Sequence, residues 1–119
     1  MKMMKTIKKP LTPIDPSRLK PVLKKIAKLT SKDLAKHNVW NSLANLSTKT
    51  TLSGIEAHPS GVYRTGKNEF EAVATVYLTL NHGNAKSFAN SFPAHVFGTI
   101  GTGNSVKIDG IKIDTSSLE

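Results

Sequence analysis

Cysteine is absent from the 119-residue chain. That excludes a disulfide framework, a thiolate metal site and a cysteine nucleophile. Aromatic residues make up only 6%, which leaves little material for a base-stacking surface. Arginine occurs at Arg18 and Arg64 alone, so forked recognition of a base edge has few donors to draw on. Apolar runs are short as well, and none approaches the roughly 20 residues that span a bilayer. Lys2, Lys5, Lys8 and Lys9 are not followed by an apolar stretch, so no secretory signal is expected. Nor is a mitochondrial leader, which would favour arginine and serine over lysine. The expectation is a cytoplasmic protein.

What the chain has in excess is lysine. Its formal net charge is +9, and that charge is unevenly placed. Residues 1–36 hold eleven bases against Asp15 and Asp33, whereas residues 37–119 hold six bases and six acids. The whole excess therefore falls in the first third. Such asymmetry points to an anionic partner more directly than a uniformly high isoelectric point does.

Residues 1–14 combine four lysines with Pro10 and Pro13 and lack an apolar period, which reads as a flexible basic arm. Asp15-Pro16 is a helix start, with Asp as N-cap and Pro in the first turn. Leu19, Val22, Leu23, Ile26 and Leu29 then follow the stripe of an amphipathic helix. Pro21 lacks the N–H that would reach Ser17, so an irregular opening turn is expected, with regular helix from Lys20. Thr30-Ser31-Lys32-Asp33 matches a capping box and starts a second helix, buried through Leu34, Val39, Trp40, Leu43 and Leu46 and open to interruption at His37-Asn38.

From residue 52 the period changes from 3.6 to 2. In Glu69 to Asn81, Phe70, Ala72, Ala74, Val76, Leu78 and Leu80 share one face. Thr65-Gly66-Lys67-Asn68 before it is a hairpin signal. An earlier strand through Ile55 and Ala57 is expected to stop at Pro59-Ser60-Gly61, and a later one runs from Phe92 to Ile100. Asp109-Gly110 reads as a two-residue hairpin joining Val106-Ile108 to Ile111-Ile113. The fold expectation is α+β: two N-terminal helices packed on one face of an antiparallel β-meander of about five strands. Helices are placed at about 16–47 and strands at about 52–114, in a single domain spanning 15–119.

The lysines have two readings. Lys20, Lys24 and Lys28 stand four apart, Lys25 widens the line, and Lys32 and Lys36 extend it. They can simply solvate a surface and cover apolar edges. Yet like charges at this spacing repel by a few tenths of a kcal/mol each, and no glutamate is interleaved to offset that. With the basic arm and the neutral remainder, binding to the phosphates of nucleic acid is the favoured reading. A membrane surface ranks second, because the core needs the apolar side of the first helix. Asn38, Asn41 and Asn45 line up, but the two helices abut with almost no turn, so no recognition helix is expected. On the sheet, Tyr77 and Phe97 form a candidate stacking pair.

Signals for chemistry are weak. His37, His58, His82 and His95 fall in no metal-binding spacing, and no metal or other cofactor is expected. A small hydrolase or nuclease built on Glu56, His58, His82 and His95 is the least favoured reading. Gly98, Gly101 and Gly103 precede no helix signal and so make no phosphate loop. The resulting expectation is a non-enzymatic protein that docks on nucleic acid or a nucleoprotein with little sequence preference. Its candidate contacts are Arg18, Lys20, Lys24, Lys25, Lys28, Lys32, Lys36, Tyr77 and Phe97. The alternative is an interaction module or inhibitor for an acidic protein surface, and a homodimer is left open.

Overall fold

The computed structural model describes residues 12–47, 49–81 and 87–115. The chain forms β1 (Thr12–Pro13), α1 (Pro16–Ala27), α2 (Ser31–Lys36), α3 (Trp40–Ala44), β2 (Lys49–Gly66), β3 (Glu69–Asn81), β4 (Phe88–Ile100) and β5 (Val106–Ile113). The five strands make one antiparallel sheet in sequence order. The architecture is α+β, with three α-helices among the described residues where two were expected.

The first two helices begin at a chemical signal, whereas α3 starts after Val39 with no side-chain cap. Asp15 caps α1 by accepting a hydrogen bond from the Ser17 amide at 3.2 Å, with Pro16 next to it. Against the expectation of an irregular opening turn before Lys20, the helix starts at Pro16 and runs on through Pro21. Only the Ser17 carbonyl loses its partner there, and Ser17 is exposed, so water can satisfy it. Thr30 and Asp33 form a reciprocal capping box at the start of α2. The second expected helix divides at Asn38, whose φ of 63° is left-handed and cannot continue a helix. Asn38 therefore sits in a break, Asn41 in α3 and Asn45 at its C-cap. The aligned asparagine face that the sequence hinted at does not exist.

The Thr65–Asn68 turn and the strand Glu69–Asn81 fall where the sequence places them. Three other boundaries differ. Thr12 and Pro13, assigned to the basic arm, pair with Arg64 and Tyr63, and Ile14 behind them is buried; residues 1–11 lie outside the described residues. Pro59-Ser60-Gly61 does not end its strand. It forms a bulge between Ala57 and Val62, where a missing N–H costs no ladder bond. Asp109-Gly110 makes no hairpin either. Phe97 pairs with Gly110 and Gly98 with Ile108, leaving Asp109 as the extra residue of a bulge, with its carboxylate accepting from the Thr99 hydroxyl at 2.6 Å. One bulged strand covers β4 from Ala94 to Ile100, whereas a hairpin would have left part of that edge unpaired.

Alternation along the strands separates two environments. Phe70, Ala72, Ala74, Val76, Leu78 and Leu80 are buried, in one cluster with Val22 and Ile26 of α1, Leu34 of α2 and Leu43 of α3. Helix α1 lies against β2 and reaches β5, α3 touches β2, and α2 packs on α3. The odd-numbered side chains of β3 point the other way and are half-buried or exposed. The buried side of β3 is therefore the one opposite Tyr77.

Candidate nucleic-acid interface

The geometry of α1 separates its lysines from its core stripe. Val22 and Ile26 face inward, and Lys20, Lys24 and Lys28 follow one another outside at about 6 Å of rise. Lys24 and Lys25 occupy the last turn, where the helix dipole favours positive charge. Lys20, Lys24, Lys25, Lys28, Lys32 and Lys36 are all exposed. Among the described residues none of them lies within ion-pair distance of a carboxylate; the basic–acidic contact that is present is the His95–Glu71 hydrogen bond on the sheet.

The nearest acid is already committed. Asp33 accepts from the Thr30 amide at 2.8 Å and from its hydroxyl at 3.0 Å. Those bonds, the backbone one first, hold its pKa below the ordinary value, and the charges of Lys36 and Lys25 add to the effect. Both bonds fall on Oδ2 of Asp33, and among the described residues Lys25 and Lys36 act on this carboxylate through their charge without a direct ion pair.

Two shallow depressions organise these lysines against the start of β5. One, of about 380 Å³, is lined by Pro21, Lys24, Lys25, Lys28, Asn104 and Val106. The other, of about 330 Å³, includes Lys25, Asp33, Lys36, His37 and Lys107. They share Lys25 and Val106, so the two adjoin and their lysines form a track. Sequence reasoning missed Lys107 and Asn104. The signal available was the position of Lys107 at the start of the last strand, which only the strand order turns into proximity to α1.

Charge follows the same division. Described residues 12–47 carry seven bases and two acids, while described residues 49–115 carry five of each. The helical segment is strongly positive, and the sheet is balanced.

Other candidates fall elsewhere. Arg18 is half-buried at the opposite end of α1, where its Nη1 donates to Asn68 Oδ1 at 3.4 Å. Tyr77 and Phe97 project from the face opposite the buried core positions of β3 and β4. They do not form a pair: Phe97 stands opposite Glu71, six residues before Tyr77 on β3, roughly 20 Å away. The Tyr77 hydroxyl donates to Glu56 at 3.3 Å, and the Lys112 ammonium lies 5.7 Å from the centre of the Phe97 ring. Both aromatics are engaged by neighbours on the sheet.

The hydrolase candidates do not converge either. His58 Nε2 is hydrogen-bonded to Thr75 at 3.0 Å and His95 Nδ1 to Glu71 at 2.8 Å. Those two partners are four residues apart on β3, roughly 13 Å. His82 lies outside the described residues. Among the described residues no group of three or more His, Asp or Glu could hold a metal ion, and no helix is long and apolar enough to cross a membrane. Comparison with protein-family models, with curated proteins and with solved structures finds no match for this chain.

Proposed function

We propose that this protein is a cytoplasmic nucleic-acid-binding protein. Its helices, layered on one side of the meander, rest the Lys24–Lys28 track against a phosphate backbone. The observation carrying this reading is the exposure of six helical lysines, none ion-paired among the described residues, beside a sheet of balanced charge. Clustered ammoniums of this kind release counterions from phosphates without reading bases. Lysine is a strongly hydrated point charge, so binding follows charge density more than sequence. Tyr77 and Phe97 are not part of this interface, because each is engaged by a neighbour on the sheet.

Fluorescence anisotropy with short single strands tests the proposal. Contacts from Lys24, Lys25, Lys28, Lys36 and Lys107 give a log–log salt slope of about −3.5. Affinity then falls roughly 500-fold between about 50 and about 300 mM salt. No binding of DNA or RNA at the lower salt refutes it. A partner retained from lysate after nuclease digestion would instead mean that the same lysines hold an acidic protein surface.

A further inference from the structure

The two arginines of the chain converge. Arg18, in the first turn of α1, and Arg64, at the end of β2, line one cavity of about 410 Å³, together with Lys67 and Asn68 of the β2–β3 turn. A chain that draws fifteen of its seventeen bases from lysine thus brings both of its arginines to one concave place. Among the described residues neither arginine has a carboxylate within ion-pair distance. The Arg18 guanidinium is held by one neutral partner, Asn68, which steers the group without neutralising it. A guanidinium so placed offers a planar fork to a tetrahedral anion.

The remaining polar wall narrows the ligand. Asp15 and Glu69 also line the cavity. Asp15 gives one carboxylate oxygen to the cap of α1, accepting from Ser17. The acceptor capacity left on these two acids suits hydroxyl donors and repels a bare polyanion. Three bases and two acids together fit a ligand that is anionic at one end and rich in hydroxyls at the other. A volume of about 410 Å³ lies toward the small end of small-molecule sites, about 300–1,000 Å³.

We propose that this cavity binds a phosphate monoester carried on a sugar. The phosphate lies on Arg18, Arg64 and Lys67, and the sugar hydroxyls are turned to Asp15 and Glu69. The phosphorylated end of an RNA strand, whose terminal sugar keeps its 2′-hydroxyl, and a free sugar phosphate both supply a phosphate monoester beside a sugar hydroxyl. The strand end is within reach of the lysine track: Ile100 lines the cavity, and its cross-strand partner Val106 lines both lysine depressions. That source, but not the cavity itself, rests on the nucleic-acid reading above.

The test uses one single-stranded RNA sequence with a phosphate at its 5′ end, at its 3′ end or at neither, measured by anisotropy. A nucleoside 5′-monophosphate is titrated in parallel and followed by NMR shifts. One terminal phosphate should tighten binding about tenfold, the yield of charge-assisted hydrogen bonds to one group. Arg64→Gln and Arg18→Gln should abolish that increment, whereas Lys28→Ala should weaken all three strands equally and leave it intact. Equal binding of the three strands, with monophosphate shifts that vanish in Arg64→Gln, assigns the cavity to a free sugar phosphate. Equal binding with no response to the monophosphate overturns the cavity and leaves the lysine track standing. If no strand binds, the track reading falls and the monophosphate titration alone decides the cavity.

Discussion

Replacing Gly98 with alanine tests how tightly the sheet is closed beneath the lysine track. A Cβ built at Gly98 would lie 2.4 Å from the Lys107 carbonyl oxygen and 2.5 Å from the tip of the Phe70 ring. Both are far inside van der Waals contact. Phe70 is only 1% exposed, so its ring has nowhere to retreat. The carbonyl belongs to the β4–β5 ladder at the Asp109 bulge, so relief requires moving β5. Overpacking of this kind costs about 1–3 kcal/mol, and contact with backbone places this site toward the upper figure. The unfolded chain of the alanine variant has less entropy to lose, which returns about 0.5 kcal/mol. A net loss of about 2 kcal/mol is expected, or roughly 10 °C in Tm. Gly54→Ala is the matched control, because nothing lies within 4 Å of its built Cβ. Urea denaturation of both variants decides the matter. A Gly98→Ala loss within about 0.5 kcal/mol of the Gly54→Ala value would refute the reasoning.

Two further predictions concern the helices. Asp33 has a pKa held below the ordinary 3.8, so its contribution is complete above that value and fades as pH falls through the lower folded value. The stability gap between the protein and Asp33→Asn should accordingly be flat near neutrality and narrow in acid, and a gap independent of pH would exclude an ionised cap. Thr30→Ala, which removes the hydroxyl accepting from the Asp33 amide, should cost about 1 kcal/mol by thermal unfolding. At Asn38, with φ of 63°, Asn38→Gly should be tolerated and Asn38→Val should cost about 1–2 kcal/mol; equal stabilities would mean that the α2–α3 break is not held there.

Local chemistry was legible in the sequence wherever it was self-contained. The Asp15 cap, the Thr30–Asp33 box and the alternation of Glu69–Asn81 each need only near neighbours, and each stands where the residues place it. Misread segments depended on a partner far along the chain. Asp109-Gly110 carries hairpin letters, but the open edge of β4 takes both halves as one bulged strand. Pro59 looks like a stop until a neighbouring strand is there to bulge against. At the candidate site, the α1 lysines were visible from their spacing. Lys107, Asn104 and the meeting of Arg18 with Arg64 were hidden, because strand order alone brings them together. The pairing of Tyr77 with Phe97 failed for the same reason: face parity is local, and antiparallel register is not.

The central claim is that position, and not total charge, makes the helical lysines a phosphate track. The most direct measurement compares two double variants of equal charge by anisotropy across a salt series. Lys25→Ala with Lys28→Ala removes two ammoniums from the track, and Lys49→Ala with Lys112→Ala removes two from the sheet. The first pair should flatten the log–log slope by about 1.4 and the second should leave it unchanged. Equal losses from both pairs would show that net charge alone attracts the polyanion, and would contradict a localised interface.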